Sequence, residues 1–159
     1  MHIKDVRKLL YALILPLSAG LLGSLATFSA ISTWYKLLVK PPFNPPNWIF
    51  GPVWTLLYIL MGIALYLVWE KGLKKKKVRT AFWLFIVHLF VNVGWSVVFF
   101  GLHSLFGGFV MIIVLELFIV ALLWKFHEIN KWAAYLLVPY ILWVSFAGVL
   151  NTTIWLLNR

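Results

Sequence analysis

One acidic residue, Glu116, lies near the middle of a long apolar segment of the sequence. An ionised acid at the centre of a membrane helix costs about 2.5–3.5 kcal/mol on insertion scales. A residue kept there is a functional candidate, as a proton relay, a ligand partner or, when protonated, a hydrogen-bond donor. The alternative is a protonated Glu116 that bonds to a neighbouring helix, at His88 or Asn92, and fixes helix packing.

Polar and aromatic residues follow single faces of three apolar segments. Spacings of 4, 3, 1, 3 and 4 residues form one helical stripe: His88, Asn92, Trp95, Ser96, Phe99 and His103. A second stripe contains Trp143, Ala147, Leu150 and Asn151. Trp54 and Tyr58 are four residues apart and share a third face. Because unsatisfied polar groups are costly in lipid, we expect these faces to point into a bundle. Helix packing is the alternative role for the tryptophans.

Several kinds of chemistry are excluded by the residue types. The sequence has no cysteine, which removes disulfides, thiolate metal ligands and cysteine nucleophiles. The histidines have no metal-ligand spacing: His2, His88, His103 and His127. The sequence also lacks a Ser–His–Asp set, a phosphate-binding loop and an HExxH motif. We therefore predict no metal site, no required cofactor and no conventional enzyme.

The elements that must position these residues are membrane helices. Of 159 residues 64% are hydrophobic and 11% are charged, and the mean hydropathy is +0.97. Five apolar segments approach or exceed the roughly 20 residues that cross a bilayer. They span about residues 9–31, 49–69, 80–100, 105–126 and 132–150 or slightly beyond. We predict an all-α integral membrane protein, a five-transmembrane-helix bundle in contact with the lipid bilayer, with residues 1–159 as a single domain.

Positive charge predicts the orientation of the bundle. One side carries eleven basic residues: Lys4, Arg7, Lys8, Lys71, Lys74, Lys75, Lys76, Lys77, Arg79, Lys125 and Lys131. The other side carries three: Lys36, Lys40 and Arg159. The positive-inside rule then places the N-terminus inside and the C-terminus outside. The run "KGLKKKKVR" fits this topology and headgroup contact rather than nucleic-acid binding, because a loop pinned between membrane helices is a poor nucleic-acid module.

A proline-rich loop of about residues 32–48 joins the first two helices. Proline fixes φ and disfavours helix in the preceding residue, so "KPPFNPP" cannot continue the first helix or form a flexible tether. We predict a semi-rigid lid that contains Pro41, Pro42, Pro45 and Pro46. Trp34 and Trp48 would anchor this lid or belong to an ordinary aromatic belt at the membrane interface.

Three segments resemble the translocator protein family, also called the tryptophan-rich sensory proteins or peripheral-type benzodiazepine receptors. They are "WYKLLVKPPFNPPNWIFGPVWTLLY", "NVGWSVVFFGLHS" and "AAYLLVPYILWVSFAGVLN", in order along the chain. The resemblance implies a five-helix bundle, often a homodimer, that binds porphyrins and, in some members, sterols and synthetic ligands. It places the ligand pocket beneath the first loop, where Trp54 and Trp143 match family positions associated with the pocket.

Composition and stripes predict a membrane protein with a polar and aromatic interior. The resemblance implies that it is a receptor or sensor for porphyrins such as protoporphyrin IX and for other hydrophobic ligands. It would promote light- and oxygen-dependent porphyrin breakdown, with Trp54 and Trp143 as the candidate reactive residues. The predicted ligand-binding residues are Trp34, Pro41, Pro42, Trp48, Trp54, Tyr58, Asn92, Trp95, Phe99, Glu116, Trp143, Ala147 and Asn151. The alternative is a secondary transporter or channel for tetrapyrrole or lipid-like substrates that uses Glu116 and His88.

Two further predictions concern partners. Sterol binding is left open, because Thr152, Thr153 and Leu156 stand where sterol-binding family members carry aromatic residues and an arginine. A homodimer is predicted from the resemblance. The stretch "SAGLLGSLA" offers small residues four apart, which permit close helix contact in lipid. Packing inside one bundle explains these residues equally well.

Overall fold

Helices form all the regular secondary structure of the described chain. The computed structural model describes residues 5–159; His2 and the predicted inner charge of Lys4 lie outside the described residues. The α-helices are α1 Val6–Ser32, α2 Trp34–Leu37, α3 Asn47–Trp69, α4 Lys76–Ser96, α5 Leu105–His127, α6 Lys131–Tyr135 and α7 Val138–Leu157. A π-helical turn, Val97–Gly101, continues α4.

Five helical spans are long and apolar enough to cross a membrane. They are Val6–Ser32, Asn47–Trp69, Lys76–Gly101, Leu105–His127 and Lys131–Leu157. The prediction of an all-α protein with five membrane helices is therefore confirmed. The last span was predicted to end at residue 150 or slightly beyond, and it ends at Leu157, because α7 continues through two polar residues. The hydroxyls of Thr152 and Thr153 each donate to the backbone carbonyl four residues earlier, at 2.8 Å, so neither polar group ends the helix.

Proline acts differently in the first and last spans. Pro16 lies buried inside α1, which continues through it. Pro139 lies in the first turn of α7, where its missing N–H costs little. The last span is divided there, since α6 ends at Tyr135 and α7 begins at Val138.

Small residues bring α1 close to α3 and α4. A Cβ atom at Gly62 would lie 2.8 Å from the Leu13 Cα atom, so the α1 and α3 backbones touch. At Gly20 it would lie 2.4 Å from the Tyr58 ring, and at Gly23 it would lie 2.9 Å from the Ser96 hydroxyl. Gly20 and Gly23, two of the small residues that were considered for a dimer face, thus serve packing inside the bundle, whereas Ser24 is exposed.

Two hydrophobic clusters fill the bundle. The larger one contains the buried residues of α3, α4, α5 and α7, including Met61, Phe85 and Ile119. The smaller one lies beside the first loop and consists of Tyr35, Phe99, Leu150 and Ile154. The predicted site residues are distributed around the boundary between these clusters and the loop.

Candidate ligand site beneath the first loop

Two side-chain amides, those of Asn158 and Asn44, hold the first loop in place. Asn158, just past α7, accepts from the Val39 N–H and donates to the Val39 carbonyl, each at 2.9 Å. The Tyr35 hydroxyl donates to Asn44 Oδ1 at 2.7 Å, and Asn44 Nδ2 donates to the Pro45 carbonyl at 3.0 Å. Burial raises the pKa of Tyr35 to about 12, so it stays a neutral donor. The loop is thus a folded cover tied to the end of the last helix.

Trp34 joins this cover to the end of the third span. Its ring is stacked on the His103 ring, with centroids 4.6 Å apart and planes inclined by 16°. Its other contact is edge-on to Phe99, at 5.6 Å. His103 has a φ of +52°, a left-handed conformation that costs a non-glycine residue about 1–2 kcal/mol. The ring contact with Trp34 therefore depends on a strained backbone position.

A continuous row of aromatic rings runs from Trp34 into the bundle. Phe99 stacks on Trp95 at 5.4 Å, and Trp95 stacks on Trp54 at 6.4 Å. Trp54 in turn stacks on Tyr58 at 5.4 Å. These separations suit paired aromatic side chains. Residues from α2, α3 and α4 with its π turn thus form one aromatic wall beneath the loop.

A second aromatic group connects α7 to the loop. Trp143 packs edge-on against Phe50 at 5.9 Å and tilts against Phe146 at 5.6 Å. Phe146 also contacts Phe43 of the loop at 6.5 Å. Any ligand that enters below the loop from this side meets an indole, Trp143, on the last helix.

A hydrogen-bonded network lies at the base of the aromatic wall. The Tyr58 hydroxyl donates to Asn92 Oδ1 at 2.8 Å, and Asn92 Nδ2 donates to the Tyr140 oxygen at 3.0 Å. The Tyr140 oxygen lies 2.8 Å from His88 Nε2. Which of these two groups donates depends on the tautomer of His88. The network therefore links Tyr58 to His88 through Asn92 and Tyr140.

Comparison with known proteins identifies the family. The model of the TspO/MBR family matches residues 12–156. The chain is 46% identical over 155 residues to the tryptophan-rich protein TspO of Chlorobaculum tepidum, which covers 98% of both chains. It is 36% identical to the tryptophan-rich sensory protein of Cereibacter sphaeroides over 81% of each chain. It is 35% identical to the translocator protein of Bos taurus, over 92% of this chain and 87% of that protein.

This chain belongs to the TspO/MBR family. The family and the five apolar spans together make it an integral, multi-pass membrane protein whose helices contact the lipid bilayer. The resemblance noted in the sequence is thereby confirmed over residues 12–156 of this chain.

The structure of this TspO/MBR-family protein brings together many of the predicted ligand-binding residues. Those in the aromatic wall or its base are Trp34, Trp54, Tyr58, Asn92, Trp95 and Phe99. Trp143 lies in the second aromatic group, and Ala147, one turn later on α7, packs against the larger core cluster. Pro41 is buried in the loop, whereas Pro42 is exposed.

Three predicted residues do not join this group. Trp48 has 74% of its surface exposed, as an interface-belt residue would. Asn151 donates to the Leu105 carbonyl at 2.8 Å and so ties α7 to the start of α5. Glu116 accepts a hydrogen bond from the Ser145 hydroxyl at 2.7 Å. The expected bond from Glu116 to His88 or Asn92 is not formed, because its side chain points to the outer surface between α5 and α7.

Sequence analysis missed residues that complete the site. Tyr140 links Asn92 to His88, and Phe50 packs on Trp143. Tyr140 precedes Trp143 by one helical turn, so extending the Trp143 stripe backwards would have found it. Asn158 follows the predicted last helix and contacts Val39 across 119 positions of sequence, a pairing without a local signal.

The π turn explains part of the arrangement. A π-helical turn inserts an extra residue and is frequent at functional sites. Here it places two consecutive rings, Phe99 and Phe100, against Tyr35 and Trp95. A regular helix would turn one of these rings away, since consecutive residues lie on different faces.

Proposed function

We propose that this protein is a membrane receptor or sensor that binds porphyrins beneath its first loop. The observation that carries the proposal is the aromatic wall, with Trp54 and Trp95 stacked below a loop fastened by Asn158. Flat conjugated rings gain about 0.5–1.5 kcal/mol per aromatic contact beyond the burial of their area. The family resemblance supplies the ligand class, and names such as tryptophan-rich sensory protein among the relatives agree with a sensing role.

Binding requires the loop to move. The rings of the wall pack on one another, so a planar ligand between them must separate two aromatic neighbours such as Trp54 and Trp95. The loop is held to the last helix by the two Asn158 bonds, each worth about 0.5–1.5 kcal/mol net. Opening the loop therefore costs less free energy than separating the helices of the bundle. The prolines limit the number of conformations that the open loop can adopt.

A buried indole donor in the aromatic wall is left for the ligand. The Nε1 atom of Trp95 is buried and has no hydrogen-bond partner among residues 5–159. An unsatisfied buried donor costs about 1–3 kcal/mol, and a hydrogen bond to a ligand acceptor would remove this cost. His88 Nδ1 is also without a partner in the same residues, but it lies at the base of the site, in the network with Tyr58, Asn92 and Tyr140. We assign Trp95 to hydrogen-bond an acceptor atom of the porphyrin.

The proposed chemistry is the light- and oxygen-dependent loss of bound porphyrin. The excited ligand and molecular oxygen supply the oxidising reagents, and indole is the most readily oxidised side chain in the wall. Trp54 and Trp143 approach the loop from two different helices, α3 and α7. We propose these two indoles as the residues that take part in the reaction. No conventional enzyme chemistry is required.

The loop is proposed to face the outside of the cell. The predicted orientation places the N-terminus and the basic loop of Lys74 to Lys77 inside, and Asn158 and the first loop outside. We expect a tag after residue 159 to be protected from a label on the cytoplasmic side and a tag within Lys74 to Lys77 to be labelled. Labelling of both tags from the same side contradicts the orientation.

Transport is not favoured by the placement of its two candidate residues. His88 is fully buried and bonds Tyr140, whereas Glu116 bonds Ser145 on the outer surface. A path that uses both residues would have to cross the packed helix α5, where the neighbouring Leu115 is 1% exposed.

Titration with protoporphyrin IX tests the proposed function. We expect saturable quenching of tryptophan fluorescence in the purified protein in nanodiscs. Trp95→Phe keeps a ring but removes the free N–H, and we expect affinity to fall by about 5- to 150-fold, equivalent to 1–3 kcal/mol. The matched control is Trp83→Phe on the lipid-facing side of α4, where 59% of the surface is exposed. Equal quenching in parent, Trp95→Phe and Trp83→Phe contradicts the site.

A further inference from the structure

The end of α5 and the start of α6 enclose a polar groove at one face of the membrane. Its volume is about 710 Å³, and its lining residues are Lys71, His127, Glu128, Ile129, Asn130, Lys131, Trp132 and Tyr135. Lys71 follows α3, so the second, fourth and fifth membrane spans all reach this groove. The first loop precedes α3 and therefore lies at the opposite end of that helix. The groove is thus separate from the site beneath the loop.

The groove lies at the depth of lipid headgroups. The helix α5 runs from Leu105 to His127, with Glu116 as its middle residue, so eleven residues lead from the middle to the end. At 1.5 Å per residue the end is about 16 Å from the centre of the span. The hydrocarbon of a bilayer extends ~15 Å from its centre, and the polar headgroup region lies beyond it. With the span centred in the bilayer, residues 127–132 therefore meet phosphate groups rather than acyl chains.

One lysine of the groove has no carboxylate partner. The Lys71 ammonium lies 3.7 Å from a Glu70 oxygen, and the ammonium of Lys125, beside the groove, lies 3.5 Å from a Glu128 oxygen. Lys131 forms no ion pair among residues 5–159. The side chains of Lys71 and Lys125 remain 43% and 33% exposed, and exposed ion pairs of this kind are weak. The groove therefore offers a free positive charge at Lys131, with two weakly paired lysines near it.

Neutral hydrogen-bond donors accompany Lys131 in the lining. Asn130 Oδ1 accepts from the Trp132 backbone N–H at 3.0 Å, which leaves the Nδ2 hydrogens as donors. Trp132 and Tyr135 add an indole N–H and a phenol O–H to the exposed part of the lining. A phosphodiester carries a negative charge and has only acceptor oxygens. It therefore matches a lysine surrounded by N–H and O–H donors, because hydrogen bonds to an ionised acceptor are the stronger ones.

An exposed aromatic pair favours a lipid over a free phosphate ion. The Trp132 and Tyr135 rings lie edge to face with centroids 5.7 Å apart, and 71% and 53% of their surfaces are exposed. The two alanines between them are buried, so α6 turns its aromatic side away from the bundle. Exposed apolar residues follow at helical spacing along α7, at Val138 and Leu142. A free phosphate ion gains nothing from such a surface, whereas the acyl chains of a phospholipid cover it.

We propose that this groove binds the headgroup of an anionic phospholipid, with the phosphate oxygens at Lys131 and Asn130 and the acyl chains along Trp132 and Tyr135. Basic pockets between membrane helices are known to take such headgroups. Lys71 adds positive charge on the opposite side of the groove. Because the groove lies at the membrane face opposite the first loop, the proposal does not depend on porphyrin binding.

Native mass spectrometry of the whole chain tests this site. The protein is released from nanodiscs that contain equal amounts of phosphatidylglycerol and phosphatidylcholine with identical acyl chains, so that only the headgroups differ. We expect the parent to retain phosphatidylglycerol in preference. Lys131→Gln should lower this preference by about fivefold, equivalent to about 1 kcal/mol for one lysine near a membrane surface. Lys77→Gln is the matched control: it removes the same charge from the exposed start of α4, outside the groove lining, and should leave the preference nearly unchanged.

Glu128→Gln tests the charge of the groove in the opposite direction. This change removes a carboxylate from the lining and frees Lys125, so the preference for phosphatidylglycerol should rise. Circular dichroism and gel filtration establish that each variant is folded.

Four results would overturn the proposal. They are equal retention of the two lipids by the parent, equal losses in Lys131→Gln and Lys77→Gln, and an unchanged or lower preference in folded Glu128→Gln. The fourth is displacement of bound phosphatidylglycerol by inorganic phosphate, which would indicate a site for a free anion instead of a lipid.

Discussion

Two polar regions lie at membrane depth in this protein, and they differ in what satisfies them. Inside the bundle, Tyr58, Asn92, Tyr140 and His88 bond one another in one buried network. On the surface, Glu116 has one bond, to Ser145, and a free carboxyl oxygen. The internal groups therefore hold the helices of the bundle together, whereas the surface pair links only α5 and α7. The position of a polar residue relative to the helix bundle, rather than its chemical type, decides its role.

The largest expected effect comes from removing the centre of the internal network. Asn92→Leu leaves the Tyr58 hydroxyl without a partner and leaves Tyr140 bonded to His88 alone. An unsatisfied buried group costs roughly 1–3 kcal/mol. We expect a clear loss of thermal stability in detergent or nanodiscs, measured by circular dichroism. Glu116→Leu is the matched control at similar depth. It leaves only Ser145, which can bond its own helix, so monomer stability should change little. Equal destabilisation by both changes would remove the distinction between the two regions.

A smaller effect is expected from making the loop flexible. Replacing Pro41, Pro42, Pro45 and Pro46 with glycine adds conformational freedom worth about 0.4–1 kcal/mol per position. We expect the affinity for protoporphyrin IX to fall by on the order of tenfold. The helices of the bundle should stay folded. The measurement is quenching of tryptophan fluorescence, and parental affinity in the glycine variant would contradict a rigid cover.

Releasing the loop at one end should have a still smaller effect. Asn158→Ala removes two hydrogen bonds to Val39 of about 0.5–1.5 kcal/mol each. Because these bonds hold the closed loop whether or not a ligand is present, we expect faster association and faster dissociation with an affinity change of about threefold or less. Stopped-flow quenching separates the two rates. If neither rate changes, the Asn158 bonds do not control access to the site.

The smallest effect on affinity is expected where an aromatic ring is retained. Trp54→Phe combined with Trp143→Phe keeps two rings in the wall and the second aromatic group, so binding should change by only about threefold. The rate of light-dependent porphyrin loss should nevertheless fall, because the readily oxidised indoles are gone. Absorbance of bound protoporphyrin IX under illumination measures this rate. Bleaching at the parental rate in the folded double variant rules out these indoles as reactants.

Much of the fold could be predicted from the sequence. The five membrane helices follow from apolar segments of about 20 residues, since only such segments satisfy their own backbone in lipid. The stripe of His88, Asn92 and Trp95 follows from helical spacing, which identifies a shared face. The end of the last helix was predicted only as residue 150 or slightly beyond. It lies at Leu157, because the polar residues Thr152 and Thr153 bond within α7 rather than ending it.

The pairing of faces could not be predicted in the same way. Periodicity shows which residues share a face but gives no information on the helix that the face contacts. Asn92 pairs with Tyr58 and Tyr140, at sequence separations of 34 and 48, and Asn158 pairs with Val39 at a separation of 119. The same limit explains the wrong partner expected for Glu116. The expected partner was His88 or Asn92 inside the bundle, whereas the observed partner is Ser145.

Local sequence patterns establish that this chain has five apolar spans, that prolines restrict the backbone of its first loop, and that its polar residues lie on defined helix faces. These properties depend on local hydropathy, backbone restriction and helical spacing. The tertiary structure alone decided which faces point inward. Close contacts at Gly20, Gly23 and Gly62 set how the helices pack, and that packing buries His88 and Asn92 while leaving Glu116 toward the lipid. Such contacts join residues far apart in sequence, so only the packed bundle determines them.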